Sequence, residues 1–212
     1  MMKTEQIDFW AGNFGKEYTD RNIFATAELD SIYKEQYGVT RTEMTKEFLS
    51  QLNIKRTFEV GCNVGNILIN LQSIGIKQLY AIELQAYAVE KAKERTKGIN
   101  IIQGSAFDVP FKDNFFELAY TSGVLIHISP NDVQVAMDEM HRVTNKYIWG
   151  FEYYAEEYTE IDYHGNGDKM WKTNFAQLFL DRFSDLKLVK EVKYPYLKNN
   201  NIDQMYLLEK IK

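Results

Sequence analysis

Between residues 56 and 151 two hydrophobic periods alternate along the chain. Short apolar runs rich in β-branched and aromatic residues are separated by longer stretches whose apolar positions recur at helical spacing. Arg56-Thr57-Phe58-Glu59-Val60, Gln78 to Ile82, Asn100 to Gln103, Phe116 to Thr121 and Tyr147 to Phe151 read as strands. Ile67 to Ile74, Ala86 to Thr96 and Asn131 to Arg142 read as the helices between them, punctuated by Gly75, Gly98 and Pro130. Strands alternating with helices at this pitch predict a mostly parallel sheet with right-handed crossovers. Upstream, residues 1–55 read as amphipathic helix, with Ala25 to Tyr37 and Thr42 to Leu52 divided by a C-capping Gly38. Downstream, a helix over Asn174 to Arg182 precedes two strands, Leu186 to Val192 and Gln204 to Glu209, with no helix between them. That predicts an antiparallel hairpin closing the sheet, turned through Tyr194-Pro195-Tyr196 and an Asn-rich loop. No repeat, low-complexity tract or linker interrupts the pattern.

Composition narrows the partners. The 212 residues carry 25 Lys+Arg against 30 Asp+Glu, a net charge of −5, which argues against a nucleic-acid or membrane-surface binder. Cys62 is the only cysteine, so no intramolecular disulfide or cysteine-based zinc site is expected. The start, Met1-Met2-Lys3-Thr4-Glu5-Gln6, has no signal-peptide character, and no apolar run approaches the roughly 20 residues of a membrane span. A soluble, cytoplasmic protein is the expectation, with its oligomeric state unreadable.

The candidate chemistry sits at the first strand–turn–helix, Phe58-Glu59-Val60-Gly61-Cys62-Asn63-Val64-Gly65-Asn66. Ligands of open parallel sheets bind beyond the carboxyl ends of the strands. Gly61 permits a tight turn, Gly65 permits close approach of a ligand to the backbone, and Glu59 supplies an acid at the strand end. Glu83, 22 residues past Gly61, ends the next strand where a ribose-binding carboxylate belongs. A dinucleotide fingerprint would need glycine at positions 63 and 66, and both are asparagine; no phosphate-cradling G-K-[S/T] follows. An acid at the turn opposes a pyrophosphate and suits a cationic ligand. S-adenosylmethionine, with its sulfonium and ammonium, meets that requirement.

These residues resemble motif I of class I S-adenosylmethionine-dependent methyltransferases, with Asn63 at the usual middle glycine, a residue type that tolerates left-handed backbone angles. Tyr80-Ala81-Ile82-Glu83 is similar to the post-I motif and Gln103 to Phe111 to the adenine-contacting motif. Phe115 to Tyr120 is similar to that family's fourth strand. Outside the core, Phe9 to Asn22, Gly123 to Pro130, Glu152-Tyr153-Tyr154 and Tyr163 to Lys172 resemble methylases associated with pseudaminic acid biosynthesis. The resemblance implies one Rossmann-like class I methyltransferase domain over residues 1–212. Its mostly parallel seven-stranded sheet would occupy 56–212, with a helical lid over 1–55. It further implies O-methylation of a nonulosonic, pseudaminic-type sugar or its nucleotide-activated form, with no metal. Another small acceptor, or S-adenosylmethionine binding without catalysis, remains the alternative.

Site candidates follow. Glu59, Gly61, Asn63 and Gly65 would hold the methionine end, Glu83 the ribose, and Ser105 and Ala106 the adenine; Leu84 is a further cofactor contact, and Trp10 and Tyr18 would close over the cofactor from the N-terminal lid. Arg21, Tyr153, Tyr154, Tyr163 and Lys169 are candidates for the acceptor, Arg21 for a carboxylate in particular. A sugar hydroxyl is a weak nucleophile, so a general base would help; His127, after the fourth strand, and His164, in a polar loop, are the candidates, while His141 reads as a helix-end residue. Base methylation is disfavoured, because Thr121-Ser122-Gly123-Val124 stands where amino-directed enzymes carry a D/N/S-P-P-aromatic loop and Cys62 lies in the cofactor turn.

Overall fold

A computed structural model describes residues 3–163 and 165–211. Each apolar run of the central region becomes a strand: β1 (Arg56–Val60), β2 (Gln78–Glu83), β3 (Asn100–Gln103), β4 (Phe116–Ser122) and β5 (Thr144–Tyr153). The helical-period stretches between and before them are α3 (Thr26–Tyr37), α4 (Arg41–Leu49), α5 (Asn66–Ser73), α6 (Ala86–Arg95) and α7 (Val133–Val143). Two short helices, α1 (Glu5–Ala11) and α2 (Asn13–Arg21), lead the chain. At the other end α8 (Phe175–Arg182) is followed by β8 (Leu186–Pro195) and β9 (Ile202–Lys210). The sheet runs β3-β2-β1-β4-β5-β9-β8, parallel throughout except for β9, which pairs antiparallel with both β5 and β8. This is the α/β fold with a C-terminal hairpin that the alternating periods predict.

Because both faces are covered, the central strands bury side chains on both sides. Phe58, Val60, Ala119, Ile148 and Leu208 pack toward α7 and α8, where Met137, Met140, Phe175 and Phe179 meet them. Leu79, Ala81, Leu118, Tyr120, Trp149 and Leu207 pack on the opposite face with Met44, Phe48, Leu68, Leu71 and Val89 of α4, α5 and α6. Local signals fix the helix ends. Gly38 caps α3 at φ 79°, and Thr40 with Glu43 forms a reciprocal capping box at the start of α4.

Five elements, in three places, differ from the sequence expectation. α7 begins at Val133 because the Ser129 carbonyl accepts the N–H groups of Asp132 and Val133, tying the preceding residues into a turn. β8 and β9 run further than their apolar cores, so Tyr194 and Pro195 belong to a strand; β8 lies at the sheet edge, where proline is tolerated. A two-stranded ribbon, β6 (Thr159–Glu160) with β7 (Trp171–Lys172), was not expected, since two-residue strands carry no readable alternation. Among the described residues no helix is long and apolar enough to cross a membrane.

Candidate active site

β1 and β4 are neighbours whose onward connections pass over opposite faces of the sheet, through α5 and α7, so a crevice opens at their carboxyl ends. It is a cleft with about 930 Å³ of empty space, its open mouth included. Gly61 makes the turn out of β1 at φ 73°; its N–H and that of Cys62 donate to the Ile82 carbonyl at 2.9 and 3.1 Å. A Cβ on Gly61 would stand 2.7 Å from Val124 Cγ2. Asn63 adopts φ 46°, the left-handed angle that glycine would otherwise supply.

Glu83 fixes the floor. Its Oε2 accepts the Asn63 N–H at 2.7 Å and its Oε1 the Gln85 N–H at 2.8 Å, and the Leu84 backbone N–H also acts on the carboxylate. Burial raises its pKa, against the opposing pull of those backbone donors. Around it stand Gly61, Asn63, Leu84, Ser105 and Ala106, each a predicted cofactor contact, together with Ile82 and Phe107.

The N-terminal helices close the cleft. α1 has no buried residue and is only seven residues long, so it needs outside support. Gln85 gives it, donating from Nε2 to the carbonyls of Ala11 and Gly12 at 2.8 and 3.0 Å. Thr19 of α2 places its hydroxyl 3.1 Å from Asn63 Oδ1, and Asn66 donates to the Asn22 carbonyl at 2.7 Å. Trp10 sits at the centre of an aromatic cluster, 4.5 Å from the His127 ring, 5.1 Å from Tyr18 and 5.5 Å from Phe14 by ring centroids. Both Trp10 and Tyr18 line the cleft, and burial holds the Tyr18 phenol well above its ordinary pKa. The Trp10 indole N–H is buried there with no hydrogen-bond partner.

Two expected cofactor contacts lie elsewhere. Glu59 is 2% exposed and does not line the cleft. Side chains alternate along a strand, so with Phe58 and Val60 on the α7 face Glu59 must point to the other, where Tyr120, its partner across β1 and β4, donates to it at 2.8 Å. Burial pushes its carboxyl up to about 8, against the pull of the Tyr120 bond and the Arg41 charge. Gly65 faces α6 rather than a ligand: a Cβ there would meet Thr96 Cγ2 at 3.2 Å, and its φ of 79° starts α5.

A second cavity, about 680 Å³ with its mouth, adjoins the first and shares Tyr18, Ser122, Gly123 and His127 as a common wall. Tyr18, Tyr33, Tyr37, Tyr153, Tyr163 and Tyr196 line it, with Gln36, Phe151, Met170 and Asp203. Of the predicted acceptor contacts, Tyr153 and Tyr163 stand here. The others do not. Arg21 is exposed, its guanidinium 5.8 Å from the Phe14 ring. Tyr154 alternates to the opposite side of β5, where Lys193 donates to its hydroxyl at 2.6 Å. The Lys169 ammonium turns outward to Glu5, 3.3 Å away, and it is the Lys169 carbonyl that reaches the site.

That carbonyl lies 3.0 Å from His127 Nδ1. Since a carbonyl only accepts, Nδ1 carries the proton and Nε2 keeps its lone pair. Burial lowers the His127 pKa to about 4, so the ring is neutral at physiological pH. The turn bearing it is anchored from below by Glu152, which accepts the Val124 and Ile126 N–H groups at 3.2 and 3.3 Å. His164 lies outside the described residues. His141 pairs with Asp185 at 2.9 Å and stacks on Phe183, remote from both cavities.

The sequence reading missed Thr19, Gln85, Ser122, Tyr33, Tyr37, Tyr196 and Asp203. Gln85 had a signal, two positions after the ribose acid; Asp203 had none, being assigned to the Asn-rich turn.

The group best matched to the first cleft can be tested against its donors. The described lining residues include no Lys or Arg to receive a pyrophosphate. They do include a carboxylate that can accept from a diol, apolar walls for a base, and an unpartnered indole N–H. S-adenosylmethionine fits this set.

Residues 58–147 match the methyltransferase domain family. No curated protein matches the sequence. Among solved structures, the chain is similar to a Burkholderia thailandensis 1,6-didemethyltoxoflavin-N1-methyltransferase with bound 1,6-didemethyltoxoflavin and S-adenosylhomocysteine. Identity is 12%, coverage 100% of this chain and 92% of that one, and the TM-score 0.70. It is also similar to the PH0226 protein of Pyrococcus horikoshii (16% identity, 91% and 94% covered, TM-score 0.69). A third likeness is to a complex between the Haloferax volcanii Trm112 methyltransferase activator and its putative methyltransferase (13%, 100% of both chains, TM-score 0.66). At such identities the likeness is one of fold. The chain therefore has the Rossmann-like class I methyltransferase fold, matches the methyltransferase domain family over residues 58–147, and presents a cleft whose lining fits S-adenosylmethionine.

Proposed function

We propose that this protein transfers the methyl group of S-adenosylmethionine to a hydroxyl of a small, sugar-like acceptor seated in the tyrosine-lined chamber. One observation carries the reading: the two cavities meet at a single wall, and His127 stands in that wall with Nε2 free to accept. The cofactor supplies an electrophilic methyl carbon on a sulfonium leaving group. The acceptor oxygen must approach in line, and positioning of this kind can lower the barrier by about 7–11 kcal/mol. Glu83, Gly61 and Asn63 hold one partner, the chamber tyrosines hold the other, and Trp10 with α1 excludes water as a lid.

His127 Nε2 takes the hydrogen bond of the acceptor hydroxyl, directs the oxygen lone pair across the wall, and receives the proton as the new C–O bond forms. Its low pKa keeps it unprotonated, at the cost of basicity. The chamber is suited to a polyol, with six tyrosines and Gln36 among its described lining residues and no Lys or Arg. The resemblance to pseudaminic acid methylases supports O-methylation of a sugar-like molecule; the carboxylate or phosphates of a nonulosonic or nucleotide-activated form would find no cation among those residues. Turnover, read as S-adenosylhomocysteine released against a panel of sugars and amino sugars, tests the reading. His127→Ala should lose about 10²–10⁴-fold in turnover with cofactor affinity retained. Full turnover in that variant removes His127 from the reaction, and a panel without turnover refutes the acceptor class.

A further inference from the structure

Asp203 is the one carboxylate among the described residues of the acceptor chamber, and its hydrogen bonding is incomplete. It lies on β9 opposite Tyr153 of β5 and is 2% exposed. Oδ2 accepts from the Tyr37 hydroxyl at 2.5 Å and from the Tyr196 hydroxyl at 3.2 Å. Oδ1 is buried with no hydrogen-bond partner. A carboxylate oxygen stripped of water and left unpaired is destabilising, so natural structures rarely retain one without a use. No Lys, Arg or His forms an ion pair with Asp203 among the described residues. Burial raises the Asp203 pKa to about 7, against the pull of the Tyr37 and Tyr196 hydroxyls and of the Arg41 and Lys172 charges. Neither of those two cations lines the cavity, so an ammonium seated there would favour the ionised form.

The surroundings share one chemical preference. Tyr37 and Tyr196 stand edge to face with centroids 5.1 Å apart, Tyr153 lies 6.5 Å from Tyr196, and Phe151 lies 6.0 Å from Tyr37. Aromatic faces around a desolvated carboxylate attract an organic cation and offer nothing to an anion. Asp203 is absent from the wall shared with the cofactor cleft, so a group held by it is an anchor and not the reacting atom.

We propose that Asp203, with Tyr37, Tyr196 and Tyr153, binds a protonated amine of the acceptor, so that the substrate is an amine-bearing small molecule methylated at a different atom. This rests on the second cavity being the acceptor chamber. The ammonium donates to Oδ1, completing its hydrogen bonds, and its positive charge is received by the surrounding rings.

The test uses the full chain saturated with S-adenosylhomocysteine, titrated calorimetrically with glucosamine, N-acetylglucosamine and glucuronate, and with benzylamine, benzyl alcohol and benzoate. In each series the ammonium compound should bind at least tenfold tighter than its neutral counterpart, and the carboxylate weakest. Asp203→Asn should abolish the preference while leaving the neutral compounds unchanged, which also reports an intact chamber. Tyr196→Phe, which removes one donor from Oδ2 and keeps the carboxylate, should preserve it. Equal affinity across each series, failure of both amines to bind, or a preference surviving in Asp203→Asn overturns the proposal. Failure of S-adenosylhomocysteine itself to bind would refute the underlying methyltransferase reading instead.

Discussion

Glu59→Gln separates a structural acid from a cofactor contact. The side chain is fully buried beside Tyr120, and burial raises its carboxyl to about 8 from an ordinary 4.5. The native state therefore keeps a proton that the unfolded chain releases above pH 4.5. A raised carboxyl contributes its stability below the unfolded pKa and loses it as pH climbs toward the folded one, so the wild type should weaken from pH 4.5 to 8. Integrating proton release between pH 5.5 and 8 with those two pKa values gives a loss of about 3 kcal/mol from this residue. At about 2–3 kcal/mol per molar urea for a chain of this size, that is a midpoint shift on the order of 1 M. Glutamine keeps the shape and cannot ionise, so Glu59→Gln should flatten the urea midpoint against pH by that amount and leave S-adenosylmethionine affinity unchanged. The reasoning fails if the variant is destabilised more at pH 8 than at pH 5.5. That result would mean Glu59 is ionised and answers the Arg41 guanidinium, which is fully buried among Tyr33, Trp149 and Phe151 without a hydrogen bond. Lost cofactor affinity would instead return Glu59 to the cleft.

Gly61→Ala combines φ 73° with a Cβ 2.7 Å from Val124, whereas Gly98→Ala meets open space at a similar φ. Thermal unfolding should show the first costing about 2–4 kcal/mol and the second about 1 kcal/mol; equal costs would deny the Val124 contact. Gln85→Ala frees the carboxyl end of α1, so amide exchange over residues 5–12 should quicken and cofactor affinity fall about 5–30-fold, as for loss of one or two hydrogen bonds; unchanged exchange would show that α1 holds without it. With His127 near 4, its charge contributes no step to the turnover profile between pH 6 and 8, and its own contribution is lost only as pH drops toward 4, where the base becomes protonated. A profile in which a histidine-like step near 6.5 disappears in His127→Ala would contradict the buried, neutral ring.

The parallel core was legible because its two periods, near 2 and 3.6, differ clearly and because Gly38, Gly75 and Gly98 stop helices where the pattern lapses. The motif around Gly61 and Glu83 was legible too, since a tight turn and a second-strand acid depend on local spacing. What failed was the assignment of faces. Glu59 and Tyr154 each sit one residue from a position that does face a cavity, Val60 and Tyr153, and a strand reverses its side chains at every residue. Asn63, read in sequence as the left-handed turn residue and a cofactor contact, and Asn66, which served there only to exclude a dinucleotide, also fasten α2 and its exit to the cofactor loop. The acceptor chamber was illegible for another reason. Tyr37, Tyr196 and Asp203 meet only after β9 inserts beside β5, and the Tyr37–Asp203 bond spans 166 residues, beyond any local pattern.

The central claim is that the cleft over Glu83 is an S-adenosylmethionine site, and calorimetric titration tests it most directly. S-adenosylmethionine and S-adenosylhomocysteine should bind the wild-type chain with micromolar affinity while NAD does not, and Glu83→Gln should weaken both about 10–100-fold, as for loss of charged hydrogen bonds to a diol. A folded wild-type protein that binds neither sulfur compound, or a Glu83→Gln variant that binds them undiminished, would contradict the account.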